Sequence, residues 1–288
     1  MFYNPLQPRY IENPYPHFAE MSRHDAVHLS LVSQWVLFRY DDTFRLLRDP
    51  GLSVSDENIE VHDADRLAAF EAAIGDDARE NTGMLGMDPP DHTRLRRLVS
   101  KAFTPRAIEA LRPRIQELVD AALDGIAERG SGDVVAELAF PLPFDVISEM
   151  LGMPDSDKQQ VAQWSSAIVK TLDPMITDEE IREAIDAERL MDAHIDSVIE
   201  WKRANPAGDL LTALIDAEED GDKLSAIELR DQVTLLFIAG HETTVNLIGT
   251  GIYELLRHPD QLALLRDDPS LDVNAIDELL RFVSPVQF

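Results

Sequence analysis

Apolar residues recur at helical spacing along most of the chain from residue 88 onward. The clearest run follows Thr104-Pro105, where a proline without an N–H is well tolerated at the first helical position. Its apolar side chains lie three or four residues apart and therefore share one face of a helix. They are Ile108, Leu111, Ile115, Leu118 and Ala122. The pattern predicts a single helix that continues to Gly130.

Further apolar runs predict helices over about 134–151, 156–171 and 178–204. The last of these begins with Thr177, followed three residues later by Glu180. This spacing is typical of a capping box, in which each side chain bonds the other residue's backbone N–H.

A second capping box, Ser225 with Glu228, opens the longest predicted helix. The helical pattern continues to Arg257, where His258-Pro259 ends it. A helix of this length spans about 48 Å at 1.5 Å per residue. We therefore expect it to cross the whole body of the protein.

Strand patterns occur only near the N-terminus. Ala26–Val32 and Gln34–Tyr40 are rich in β-branched and aromatic residues and are separated by one serine, which predicts a small hairpin. Asp41-Asp42 then predicts the cap of a short helix, which Pro50-Gly51 ends.

The order of these patterns predicts one mainly helical domain, without repeats or low-complexity linkers. We expect residues 1–50 to form a small β region with the first helices. Residues 51–87 are acidic and irregular and predict a long loop. Residues 88–288 form the helical region.

Composition narrows the possible partners. The formal net charge is −28, from 54 acidic and 26 basic residues, so the surface repels nucleic acids and anionic membranes. The chain has no cysteine, which excludes disulfides and thiolate sites within it. Neither a signal peptide nor a long apolar span is visible, so we expect a cytoplasmic protein.

The centre of the long helix contains the first candidate chemistry. An apolar run ends in Ala239-Gly240, and four polar residues, His241 to Thr244, follow it. Threonines can bond their own helical carbonyls and bend the axis, and a buried Glu242 needs a partner or water. A zinc-protease HExxH motif fails, because Val245 stands where the second histidine belongs.

Two further clusters follow standard helical spacing. Glu278 and Arg281 are three residues apart and can pair on one helix face. Pro89-Pro90 predicts a helix start that places His92 and Arg96 one turn apart. The second cluster also contains the only dense basic patch of this acidic sequence. Its members are Arg94, Arg96, Arg97, Lys101 and Arg106.

In this order and spacing, the motifs AGHETT, ELLR and DPPDHTRLRRLVSKAFTP resemble the I, K and C helices of the cytochrome P450 mono-oxygenases. The resemblance covers essentially the whole chain and is to the soluble, bacterial type. It implies a mainly α, cytochrome P450-like helical domain with a small N-terminal β region. It further implies haem b as cofactor and the insertion of one oxygen atom of O2 into a small organic substrate.

The resemblance also implies roles for single residues. Thr243 would hydrogen-bond dioxygen at the haem, and Glu242 would relay protons through water. Ala239 and Gly240 would contact the haem, because a residue without a side chain lets a flat ligand approach the backbone. His92 and Arg96 would hold its propionates.

Other implied roles concern structure, donor and substrate. Glu278 and Arg281 would form a buried structural lock. A ferredoxin or flavodoxin-type electron donor would dock at Arg94, Arg97, Lys101 and Arg106. Residues 51–87 would gate the substrate. Five apolar residues would lie at substrate-pocket positions, with ordinary core packing as the alternative for each: Met84, Leu85, Leu172, Met175 and Ile238.

One feature of the family is missing. Its haem iron is held by a cysteine thiolate, in a glycine-rich loop well after ExxR, and this sequence contains no cysteine. We expect an incomplete P450-like domain, truncated before that loop, which is inactive by itself. The alternative is a haem-free P450-like helical protein that binds partners. A purely structural helical protein would make substitution of Thr243 silent.

Overall fold

The computed structural model describes residues 3, 10, 13–30, 34–55, 58, 83–154, 158–173, 176–219 and 222–286. The chain forms two compact units. The first comprises Met1–Ala69 with Gly86–Asp88, and the second comprises Phe70–Leu85 with Pro89–Phe288.

The first unit contains the predicted hairpin between two helices. Its elements are α1 (Tyr15–His24), β1 (Val27–Leu29), β2 (Trp35–Leu37) and α2 (Tyr40–Leu46). The strands pair antiparallel, with Val27 opposite Leu37 and Leu29 opposite Trp35. They are shorter than predicted, and residues 31–33 lie outside the described part. On α1, Met21 is fully buried.

The predicted cap of α2 is wrong. Arg39 is the N-cap residue and makes no side-chain capping bond, whereas Asp41 and Asp42 lie within the first helical turn. Carboxylates in that turn interact favourably with the positive end of the helix dipole. The two aspartates therefore fit this helix start without capping it.

The predicted loop over 51–87 lies mostly outside the described residues. At its start, the Asp88 carboxylate accepts hydrogen bonds from the Ser53 hydroxyl and, at 3.0 Å, from the Val54 backbone N–H. A 3-10 turn covers Met84–Gly86. The substrate-gating role of this segment stays a prediction.

The second unit consists almost entirely of helices. Its first three are α3 (Asp91–Ala102), α4 (Pro105–Glu109) and α5 (Arg112–Arg129). A helix begins at Pro105, as the sequence predicts, and the Thr104 side chain caps it. However, the single helix predicted to reach Gly130 is divided. Pro113 has no N–H for the carbonyl of Glu109, and its ring would collide with that carbonyl, so the chain breaks at this point.

A π-helical turn (Val135–Ala139) leads into α6 (Pro141–Leu151), where one helix was predicted. The predicted helix over 156–171 is α7 (Lys158–Val169), which ends in a 3-10 turn (Lys170–Leu172). Gly152 ends α6 in the left-handed conformation with φ of 63°, which glycine adopts without strain.

Both predicted capping boxes are present. Thr177 and Glu180 open α8 (Asp178–Ala204), and Ser225 and Glu228 open α10 (Ala226–Arg257). The 32 residues of α10 have the predicted bounds. Between these helices lie α9 (Leu210–Ile215) and a two-residue hairpin, β3 (Glu218–Glu219) with β4 (Asp222–Lys223).

Helix α10 runs through the core of this unit and packs against α6 and α8. Leu229, Val233 and Phe237 are completely or almost completely buried along one face. Phe144 of α6 meets Phe237 edge to face, with 5.2 Å between ring centroids. This packing fixes the helix that bears the polar stretch.

Two more helices complete this unit, α11 (Pro259–Asp267) and α12 (Asp272–Phe282). A 3-10 turn (Pro269–Leu271) connects them. The predicted mainly α fold with a small N-terminal β region is therefore confirmed. Within the described ranges, no helix has both the length and the apolar character needed to cross a membrane.

Candidate active site

Thr243 lies half-buried in the middle of α10 and bonds its own helix. Its Oγ1 donates a hydrogen bond to the Ala239 carbonyl at 2.7 Å. This back-bond uses the hydroxyl proton and leaves the oxygen lone pairs able to accept from another group. Ala239 is exposed, so the same turn of helix is open to a ligand.

Glu242 is the next residue and is partly buried, with 22% of its side chain exposed. Burial raises the pKa of its carboxyl group, and a hydrogen bond from the Ser165 hydroxyl partly offsets this rise. That bond is long, at 3.5 Å between Ser165 Oγ and Glu242 Oε1. A carboxyl group with a raised pKa can take up and release a proton closer to neutral pH, as a relay requires.

His241 is fully buried between aromatic rings. Its ring centroid lies 4.9 Å from that of Phe140 and 5.4 Å from that of Phe144. Neither ring nitrogen has a partner with good hydrogen-bond geometry among the described residues. Burial lowers the pKa of His241, with a partial offset from the Phe140 backbone, so the imidazole is neutral at pH 7.

Gly240 has a packing role in the structure. A Cβ at this position would lie 3.2 Å from Cδ1 of Ile147, on helix α6. The missing side chain therefore allows α10 to approach α6 closely. This differs from the predicted reason, a flat ligand against the glycine, and haem contact by Ala239 and Gly240 stays a prediction.

Helix α3 places His92 and Arg96 together, as their spacing predicts. It begins after the cis peptide bond Pro89-Pro90 and has Leu95, Leu98 and Val99 as its buried face. The opposite face borders a wide-open groove of about 520 Å³, and all of its lining residues belong to α3. Its lining residues are His92, Thr93, Arg96, Arg97, Ser100 and Lys101. A guanidinium and an imidazole on one wall are a donor set that fits carboxylates such as haem propionates.

The predicted basic docking face is only partly assembled. Arg97 and Lys101 border the groove on α3, and Arg106 is exposed on α4. Arg94, in contrast, pairs with Glu228 and, at 3.5 Å, with Asp222. Its position on α3 directs it to the start of α10, so Arg94 has to be removed from the predicted docking face.

Glu278 and Arg281 form the predicted pair but not the predicted buried lock. Arg281 Nε and Nη2 donate to the two carboxylate oxygens at 2.7 and 2.6 Å. The side chains are 68% (Arg281) and 59% (Glu278) exposed. Helix α12 has no buried residue, and its apolar Val273 and Ile276 are exposed too, so the pair lies at the surface of the structure.

The predicted substrate-pocket residues differ in their solvent exposure. Met84 is buried, Ile238 is half-buried, and Leu85 and Leu172 are exposed. Met175 lies outside the described residues. No described group of three or more His, Asp or Glu residues could hold a metal ion.

Sequence reasoning missed two partners in this region. Ser165 of helix α7 donates a hydrogen bond to Glu242. Glu228 accepts a hydrogen bond from Arg94 in addition to closing its capping box. These contacts join residues 77 and 134 positions apart, respectively, and no local pattern indicates them.

Comparison with known proteins identifies the family of this fold. The family model "Cytochrome P450" matches residues 56–268. Cytochrome P450 107B1 of Saccharopolyspora erythraea is 45% identical over 252 residues, which are 88% of this chain and 60% of that protein. The mono-oxygenase PikC of Streptomyces venezuelae is 40% identical over 96% of this chain and 64% of its own length.

A solved structure of P450BioI, in complex with an acyl carrier protein ligated to hexadec-9Z-enoic acid, superposes with a TM-score of 0.85. It is 31% identical, and the match covers 97% of this chain and 70% of that one. This likeness assigns the mainly helical fold to the class of the cytochromes P450. The chain belongs to the cytochrome P450 family.

Family membership implies haem b as the cofactor. The groove at His92 and Arg96 fits its carboxylates, whereas these 288 residues contain no cysteine to bind its iron. The chain spans 60% and 64% of the lengths of the two relatives above.

Proposed function

We propose that this chain forms the greater part of a haem-thiolate mono-oxygenase. Such an enzyme inserts one oxygen atom of O2 into a small organic substrate, with electrons from a redox partner. The observation that carries the proposal is the pair Thr243 and Glu242 at the centre of α10. A back-bonded hydroxyl stands next to a carboxyl group whose pKa burial raises.

His92 and Arg96 would hold the cofactor through its propionates, and Ala239 and Gly240 would line one face of it. When bound, the haem supplies the activation of dioxygen. The iron's thiolate ligand has to come from outside these 288 residues, because none of them is a cysteine.

Thr243 and Glu242 would manage the protons of this reaction. The Thr243 proton is directed to the Ala239 carbonyl, so the oxygen accepts a hydrogen bond from the reacting group or from a water. Glu242 takes up a proton at a carboxylate oxygen and passes it on. A raised pKa favours this cycle near neutral pH.

The relatives support a small organic substrate without defining which one. Two of them are named 6-deoxyerythronolide B hydroxylase and vitamin D(3) 25-hydroxylase, and these names give the same type of reaction on different substrates. An acidic ferredoxin or flavodoxin-type donor would meet Arg97, Lys101 and Arg106. Opposite charge on the two surfaces would accelerate the encounter.

Haem titration of the purified chain tests the binding residues. Soret absorbance reports haem uptake, and we expect His92→Ala and Arg96→Ala to weaken it by roughly tenfold or more, as for a lost charge-assisted hydrogen bond. The control is Arg112→Ala, which removes an exposed arginine paired with Glu109 outside the groove. Equal affinity in all four proteins would contradict the assigned roles.

Fusion to the C-terminal portion of cytochrome P450 107B1 that lies beyond the matched residues tests whether this chain can form part of a haem-thiolate site. We expect the fusion to give a thiolate-type Soret band with CO and the 288-residue chain to give none. Absence of the band from a folded, haem-loaded fusion would overturn the proposal.

A haem-free helical protein that binds partners is the second candidate. It predicts that haem does not bind the chain and that the His92 and Arg96 variants behave as the wild type does. The haem titration therefore separates the two functions.

A further inference from the structure

Ser165 is a buried polar residue outside the roles given so far. It lies on α7 with 0% exposure and reaches across to α10, where its Oγ is 3.5 Å from Glu242 Oε1. Its hydroxyl is the hydrogen-bonding partner that the described residues provide for this carboxyl group. If this position only had to fill space between the two helices, an alanine would suffice. The buried hydroxyl therefore indicates a hydrogen-bonding role.

We propose that Ser165 is a positioning residue that holds the Glu242 carboxyl group in both of its protonation states. This rests on the proposed function, in which Glu242 has to alternate between carboxylate and carboxylic acid. A hydroxyl group donates to a carboxylate and accepts from a carboxylic acid by rotating its single proton. Ser165 thus keeps one partner for the group throughout the proton cycle.

The surroundings of Glu242 favour a neutral partner that can act in both ways. The one basic group within 4 Å of it among the described residues is His241, with Nδ1 at 3.9 Å. His241 is neutral because burial lowers its pKa, so it does not hold Glu242 as an ion pair. A lysine or arginine there would only donate and would favour the charged form.

A packing role has to be separated from this positioning role. Helix α7 contacts α10, and a buried serine contributes to that contact simply by its volume. Thr and Val have the same shape and differ only in hydroxyl against methyl. Ser165→Thr and Ser165→Val therefore impose the same added volume, while only the first retains a donor and acceptor.

The experiment uses the 288-residue chain without haem. Glutamate labelled at the side-chain carboxyl carbon is incorporated, and the Glu242 resonance is assigned by its loss in Glu242→Gln. We expect its pKa in Ser165→Thr to stay near the wild-type value and in Ser165→Val to rise, because the bond from the hydroxyl to the carboxylate is charge-assisted and stronger than the bond to the acid. Ser165→Ala, which adds no volume, should shift in the same direction as Ser165→Val.

Equal Glu242 pKa values in the Thr and Val variants would overturn the positioning role, because the hydroxyl would then make no charge-assisted bond to the carboxylate. That result would leave the mono-oxygenase proposal standing. Failure of the haem experiments would instead remove the reaction and leave the Ser165–Glu242 interaction measurable. If Ser165→Val does not fold, Ser165→Ala against the wild type decides the question by the same measurement.

Discussion

Arg94 of α3 pairs with Glu228, the residue that also closes the capping box of α10. The Glu228 carboxylate accepts from the Ser225 backbone N–H at 2.8 Å and from the Arg94 guanidinium. The helix that bears the His92 and Arg96 groove is thereby fixed to the start of the helix that bears Thr243. One carboxylate serves both the local helix start and a long-range contact.

Replacement of Glu228 by glutamine should destabilise the chain by about 2 kcal/mol at pH 7, the scale of hydrogen bonds to a charged group. Burial acts to raise the pKa of Glu228, but the bonds from Ser225 and Arg94 outweigh it, so the net pKa is lowered. A carboxyl group with a lowered folded-state pKa stabilises the folded protein at pH values above its unfolded-state pKa, about 4.3. This stabilisation is lost as the pH falls through the folded-state pKa. Urea unfolding at pH 7 and pH 3 measures the difference, which should shrink at pH 3.

Glu180→Gln is the matched control, since Glu180 closes the other capping box and 38% of its side chain is exposed, against 13% for Glu228. Its nearest cation is Lys170, at 3.8 Å. An effect as large as that of Glu228→Gln would mean that capping, not the Arg94 contact, accounts for the loss.

The capping boxes mark what the sequence could predict. Ser225 with Glu228 and Thr177 with Glu180 are contacts across three residues, so local spacing determines them. The same holds for His92 and Arg96, which one helical turn brings to the same groove. Pro113 is a local signal too, because a proline indicates a helix start or break at its position. The prediction of one helix up to Gly130 does not take it into account.

Contacts between distant helices were not predictable in this way. Arg94 belongs to a basic run in the sequence, and only the packing of α3 on its neighbours directs it to Glu228. The exposure of Glu278 and Arg281 likewise depends on what covers α12, about which the ExxR spacing carries no information. Burial and partner choice are properties of the assembled unit.

Glu278→Gln should leave the melting temperature of this chain unchanged within error. Its bonds to Arg281 are short, but both side chains lie in water, where ion pairs contribute little. A buried lock would give a large loss on the same change. Differential scanning calorimetry decides between them, and a clear fall in melting temperature would show that the pair is covered in solution.

Two glycines should respond to alanine in opposite directions. A Cβ at Gly249 would be 3.6 Å from Val135 Cγ2, an ordinary contact, so Gly249→Ala should stabilise α10 by up to ~1 kcal/mol. At Gly152 the φ of 63° and contacts with Asp209 and Lys202 oppose a side chain. Gly152→Ala should cost roughly 1–3 kcal/mol. Chemical denaturation measures both, and changes of the same sign would contradict this packing.

Glu242→Gln should raise stability at neutral pH, because burial raises the pKa of Glu242 and so disfavours its charge. A carboxyl group whose pKa is higher in the folded than in the unfolded state stabilises the folded protein fully at pH values below the unfolded-state pKa. This stabilisation is lost as the pH rises through the folded-state pKa. The gain from glutamine should therefore be present at pH 8 and absent near pH 3. Melting curves across this range test it, and a gain that is independent of pH would exclude the titration of Glu242 as its cause.

Thr243→Val should separate catalysis from helix stability, because Thr250 provides a matched control. Both hydroxyls donate to the carbonyl four residues earlier, Thr243 at 2.7 Å and Thr250 at 2.5 Å. Loss of either bond should change the melting temperature by a similar amount.

In the fusion with the C-terminal portion of cytochrome P450 107B1, only Thr243→Val should divert electrons from NAD(P)H to hydrogen peroxide, because only that hydroxyl serves the proton relay. Peroxide formed per NAD(P)H consumed is the measurement. Equal peroxide yields in the two variants would assign Thr243 to helix structure alone and would remove it from the proposed chemistry.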